Sequence, residues 1–133
     1  MADPAMAAFT VQRILQAAGL SAFVGYLAAR PRGGYVTVFL LTGADMVERG
    51  VTVSQPLELE GWSPRPEDAV RMTTKALETI LGVARDREKA QELGIRDAWI
   101  ENHVAELPTG EAAWSRYRAT VALSFRQTRE RIL

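Results

Sequence analysis

The residues best suited to chemistry are few and scattered. Glu101 and His103 lie two apart in an alternating run. On a strand they share a face, a carboxylate beside an imidazole, which is the pairing of an acid–base site. No serine, cysteine or third partner sits nearby, and there is no Gly-rich nucleophile elbow, so a surface histidine is the better reading. Glu58, Glu60, Glu67 and Asp68 gather around a strand-to-helix junction, and paired carboxylates suit Mg²⁺. The plainer account is a solvated strand face followed by the acids that favour a helix start. Arg30 and Arg32 before Gly33-Gly34 hint at a phosphate loop, but Walker spacing and a following helix are both missing, and turn chemistry suffices. No catalytic, metal-binding or cofactor-binding residue is expected, and no cofactor.

Aromatic and arginine side chains carry more. Tryptophan is costly to expose and enriched at interfaces. By alternation Trp62 falls on the polar face of its strand, Trp99 falls opposite Ile100 and Val104, and Trp114 starts the last strand. Either helices cover these positions as core, or a partner meets them. Arg116, Arg118 and Arg126 share the outward face of the last strand, either as a solvated face or as a contact. Met46 and Val47 sit with Arg49 at the tip of a polar loop, Gly43 to Gly50, where apolar side chains gain little unless buried. They either fold back onto the core or order against a neighbour. The candidate interface set is Met46, Val47, Arg49, Trp62, Arg65, Trp114, Arg116 and Arg118.

At 133 residues, 47% hydrophobic and 24% charged, the chain fits one ordinary two-layer domain. A net charge of zero argues against a dedicated duplex-binding protein, which carries a surplus of cations. Fourteen of the 16 basic residues are Arg, as a GC-rich genome would give. With no cysteine, disulfides and thiolate sites are excluded, and one histidine alone makes no zinc site. The apolar run from Ala17 to Ala29 is shorter than the ~20 residues of a membrane span. A cytoplasmic chain without membrane contact is expected.

These side chains need elements to position them. Asp3-Pro4 starts a helix that Gly19 stops. Leu20 to Leu27 fits either a short buried strand or a helical turn. A Pro31–Gly34 turn leads to a strand over Tyr35–Leu41, then the 43–50 loop of a long hairpin. In Val51–Trp62, Val53, Leu57 and Leu59 face inward while Glu58 and Glu60 face the other way. Pro56 removes a ladder donor and predicts an edge or bulged strand. A helix runs from near Pro64 to Gly82, then a short polar helix over Arg85–Leu93 closed by Gly94. Strands over Ile95–Leu107 and Trp114–Gln127 follow, and a charged tail covers 128–133. The class is α+β: a twisted, mostly antiparallel sheet of about four main strands with helices on one face. The strands over 51–62 and 116–126 are expected to leave bare edges for assembly.

Taken together, the segments resemble a known family. They are the N-terminal helix, Arg30-Pro31-Arg32-Gly33-Gly34-Tyr35-Val36-Thr37-Val38, the Thr42-Gly43 loop, Leu57-Glu58-Leu59-Glu60-Gly61-Trp62, the Ala69-centred helix, and Glu106-Leu107-Pro108-Thr109-Gly110 leading to Arg116–Arg126. From about Thr10 to Gln127 the chain resembles the tail terminator (tail completion) proteins of long non-contractile-tailed bacteriophages, in their actinobacterial-phage form. It departs from them at Gly61, where a larger residue is common, and in the polar segment Arg85–Leu93.

The resemblance implies a structural virion protein rather than an enzyme. It implies a ring, usually hexameric, that caps the tail tube, ends polymerisation and meets the head connector or stopper protein. The ring partners are other copies and the tail tube protein. DNA passes the lumen without specific binding, and the location is the head-proximal end of the tail, after synthesis in the host cytoplasm. Alternatives are another head–tail connector or tail tube subunit, or, in a different class, a small dimeric α+β ligand-binding domain or enzyme.

Overall fold

The computed structural model describes residues 6–27, 29–41, 45–47 and 52–126. The expected helix start at Asp3-Pro4, Arg49 at the loop tip and the 128–133 tail lie outside them.

Helix α1 spans Ala7–Ala17 and buries Ala7, Ala8, Val11, Ile14 and Leu15. Gly19, at φ 88°, stops it, and the Leu20 N–H reaches back to the Leu15 carbonyl at 3.0 Å. The ambiguous stretch after it forms a strand, β1 (Ala22–Val24), parallel to β2 (Tyr35–Leu40). The amides of Gln12 and Gln16 both donate to the Ala22 carbonyl, at 3.1 and 3.2 Å, so α1 covers part of this edge.

β2 is followed by β3 (Asp45–Val47) and β4 (Thr52–Ser63), so the expected hairpin forms. Its 43–50 segment is not all loop, because Asp45, Met46 and Val47 pair with Ser54, Val53 and Thr52. Helices α2 (Pro66–Arg85) and α3 (Arg87–Leu93) come next, then β5 (Ile95–Leu107) and β6 (Ser115–Arg126). α2 begins with Pro66 in its first turn and Glu67 and Asp68 at its positive end. Gly82 does not stop it. The apolar face continues past that point, with Val83 and Ala84 packed on the core, and outweighs the roughly 1 kcal/mol cost of one glycine. Asp86 caps α3 by accepting from the Glu88 and Lys89 N–H groups, and Gly94 closes it in the left-handed conformation.

The sheet order is β1-β2-β4-β6-β5, with β3 also paired to β4; every pair except β1–β2 is antiparallel. This overturns the expected edges. β4 has neighbours on both sides and so does β6; the long free edge is β5. Pro56 therefore sits in a central strand. Its carbonyl accepts from the Leu41 N–H at 3.1 Å, so the donor it lacks would also face the β2 side, where β2 has ended and β3 has not begun. The Gln55 amide supplies a substitute, donating to the Leu41 carbonyl at 2.8 Å.

α1 and α2 pack on one face of the sheet. Leu15, Val36, Val38, Leu57, Leu59, Ile80, Val121, Leu123 and Phe125 form the core between the layers. α2 rests almost on the backbone of β4 at Gly61. A Cβ there would lie 2.1 Å from Thr73 Oγ1 and 2.7 Å from the Ala69 carbonyl. Tyr35, Thr37 and Phe39 of β2, Glu58, Glu60 and Trp62 of β4, and Arg116, Arg118 and Thr120 of β6 alternate onto the opposite face. No described helix is long and apolar enough to cross a membrane.

Candidate interaction face on the open side of the sheet

The register puts side chains into rows across this open face. Tyr35, Trp62 and Arg116 lie side by side, as do Thr37, Glu60 and Arg118 in the next row. Tyr35 and Trp62 stack with planes 2° apart and centroids 6.1 Å apart, and Trp114 tilts against Tyr35 at 6.0 Å. Arg30, from the loop between β1 and β2, brings its guanidinium to 5.1 Å from the Trp62 ring and 4.5 Å from that of Trp114. These are cation–π distances. Arg116 lies 5.1 Å from the Trp62 ring.

Each guanidinium also has a carboxylate. Arg116 forks onto Glu60, with Nε to Oε1 at 3.0 Å and Nη2 to Oε2 at 2.7 Å. Arg30 pairs through both terminal nitrogens with Glu111 and donates to the Tyr35 hydroxyl at 3.3 Å. Arg118 Nη1 is 3.7 Å from Glu58 Oε1. Hydrogen bonding to Glu111 raises Arg30 further above its already high value, and Arg30 holds the Glu111 carboxyl below the usual range.

Glu58 and Glu60 occupy alternate positions of one strand and differ sharply. Burial pushes the Glu58 carboxyl up to about 7, with the hydrogen bond to Glu60 adding to it. Burial also pushes Glu60 up, but the hydrogen bonds from Glu58 and Arg116 outweigh it and hold Glu60 below the usual range. Glu60 is only 1% exposed, which corrects the expectation of a solvated acidic face. It is buried because an arginine fork and an aromatic shelf surround it. Glu67 and Asp68 stand apart, at the start of α2, with Asp68 paired to Arg71 at 3.2 Å.

Between these rows and the loop after β1 lies a cleft of about 400 Å³, lined by Tyr26, Leu27, Arg30, Phe39, Trp62 and Arg116 among others. Tyr26 tilts against Phe39 at 4.8 Å and is 87% exposed. Thr37 also lines it, and the buried Thr37 hydroxyl has no hydrogen-bond partner among the described residues. His103 and Glu101 are exposed on β5, away from this cleft, and no group of three potential metal ligands occurs among the described residues.

Of the expected interface residues, Trp62, Trp114, Arg116 and Arg118 come together on this face. Arg65 is elsewhere, exposed at the residue that precedes α2. Met46 and Val47 are placed by backbone pairing in β3 alone. Sequence reasoning missed Tyr26, Arg30, Thr37, Phe39 and Glu111 as parts of one site. Alternation from Tyr35 onward carries Thr37 and Phe39 to the same face, whereas the Arg30–Glu111 pair spans 81 positions and leaves no local signal.

With this geometry in place, comparison with known proteins gives an informative likeness. A chain from the virion of a native gene transfer agent (GTA) particle superposes with a TM-score of 0.58, at 10% identity, over 90% of this chain and 92% of that one. The two share a fold. No protein-family model and no curated protein matches the chain.

Proposed function

We propose that this chain is a structural virion protein of a phage-like particle. In this reading it forms a ring, most simply a hexamer, on the last ring of the tail tube, ends tail polymerisation and presents the surface that joins the head. The observation that carries the reading is the near end-to-end fold likeness to a virion component. The resemblance of its segments to tail terminators supplies the position within the particle. The open face supports a binding rather than catalytic role: its charges are paired with one another, Tyr26 offers an exposed ring, and no nucleophile–base pair lines the cleft among the described residues. The partners in this reading are further copies, the tail tube protein and the head connector or stopper, with DNA passing the lumen without specific contacts.

Deleting the gene from a producing strain tests it. Electron micrographs should show tails of uncontrolled length that fail to join heads, restored by the chain supplied in trans. Tails of normal length that join heads without it would overturn the reading, as would a stable solution dimer that binds a metabolite.

A further inference from the structure

The free edge of the sheet and the cleft on its open face carry features that fit each other. Trp99 stands on β5, the free edge, and is 39% exposed. It pairs with Ala122, so it lies on the open face. On the same face, from the loop after β1 across β2 to Trp62 of β4 and Arg116 of β6, lies the aromatic cleft. The rings of Tyr26, Phe39, Tyr35 and Trp62 line it, as does Thr37, whose hydroxyl has no hydrogen-bond partner among the described residues.

The charges of the cleft narrow the choice of occupant. Arg30 is already paired with Glu111 and Arg116 with Glu60, so an anion would have to break a two-point ion pair to bind there. A flat, neutral, largely apolar group with one hydrogen-bond donor fits better. Indole has that character, with a ring face for stacking and a single N–H that needs an acceptor when buried. Exposed Asp97 and Glu101 flank Trp99, whereas exposed Arg32 stands in the loop that carries Arg30, so the surrounding charges also complement one another.

We infer that Trp99 of one copy seats in the cleft between Tyr26 and Trp62 of the next, joining copies head to tail, edge strand to open face. Such a contact is heterologous, one patch meeting a different one, and repeats from copy to copy as a ring requires. Trp99 lies level with Ala122, and the cleft includes Thr37 and Glu60, whose row continues to Arg118. Those levels differ by four residues along β6, about 13 Å, so neighbouring sheets meet in a staggered register. Tyr26, the most exposed wall, swings aside to admit the ring and opens the way to the Thr37 hydroxyl. This rests on the ring reading and supplies its subunit contact.

The absence of cysteine makes a clean test. Leu27→Cys marks the cleft and Asp97→Cys marks the neighbourhood of Trp99. Under oxidation the double variant should give a ladder of disulfide-linked oligomers, both as concentrated free chain and on tails that carry it. A mixture of the two single variants should stop at dimers. Adding Trp99→Ala to the double variant should cut the ladder at least tenfold while its thermal midpoint stays close to that of the parent. A ladder unchanged by Trp99→Ala overturns the contact, and so does its absence from both preparations. If the chain is found on tails but gives no ladder, the contact falls and the ring reading stands. If a ladder forms in solution but the chain is absent from tails, the contact stands and the ring reading falls. Seating of a different virion protein in the cleft would appear as a crosslink from position 27 of the Leu27→Cys chain to that protein in place of the ladder, and overturns the inference.

Discussion

Glu60 is the one charged side chain among the described residues that is almost wholly buried, and hydrogen bonds from Glu58 and Arg116 keep it charged. Removing one member of a buried pair strands the other. Arg116→Ala, which leaves the Glu60 carboxylate buried without its fork, should therefore cost on the order of 3 kcal/mol in urea unfolding. Arg118→Ala, which removes a longer and more exposed contact, should cost less than about 1 kcal/mol. The neighbouring acid gives a pH signature of the opposite sign. Glu58 binds its proton more firmly in the fold than at its ordinary value of 4.5, so the stability it contributes is present below that pH and is lost as pH rises towards about 7. Glu60 has a lowered value, and its contribution fades instead as pH falls through the ordinary carboxyl range. The groups facing Glu58 are Glu60, Arg118 and Arg116. Thermal midpoints should decline between about pH 5 and pH 7.5 in the natural chain and lose most of that slope in Glu58→Gln.

At the scale of elements, the contact of α2 with β4 hinges on a missing side chain. Gly61→Ala would drive a methyl group into Thr73 Oγ1 and the Ala69 carbonyl, one of them backbone. The expected cost is about 3 kcal/mol, the upper part of the overpacking range, and Thr73→Ala should recover only part of it, both read from denaturation midpoints. Gln55 serves the sheet rather than the core. Gln55→Ala leaves the Leu41 carbonyl without its 2.8 Å donor and should cost about 1–3 kcal/mol. Alternation made much of this readable beforehand. It put Leu57 and Leu59 under the helices and Glu58, Glu60 and Trp62 on the other face, and it did the same for Val121 and Leu123 against Arg116 and Arg118. Strand order was not readable, because a period of two says which face a residue takes and nothing about which strand lies beside it. Pro56 then pointed to an edge, since the side chain that replaces its missing donor is visible only once β2 is known to end opposite it. Glu60 looked solvated because its partner is 56 positions away.

For the whole molecule, the proposed assembly depends on a surface that the free chain leaves half-covered. Trp114 and Trp62 hold Arg30 between them, which answers whether these tryptophans are core or surface: they are a partly buried aromatic shelf on the face away from the helices. Trp114→Ala should leave the main core intact and loosen Arg30. If that shelf positions the loop at the cleft, the variant should fold, with a midpoint lowered by a few degrees, and tail capping in the complementation assay should fall severalfold.

The position of β6 has a further consequence, one of timing. It is the last described strand to be synthesised, yet it lies between β4 and β5 and pairs with both along most of its length. Until it is made, β4 has no partner on that side, β5 has no strand to pair with, and much of the hydrophobic layer has no strand behind it. The pairing of Thr52–Ser63 with Ser115–Arg126 closes a long loop, so folding should take milliseconds to seconds rather than microseconds. Growing chains arrested before Ser115 should be captured by chaperones or proteases, whereas those released after Arg126 should fold in one step. A chain built this way leaves synthesis either able to complete its sheet or not folded at all.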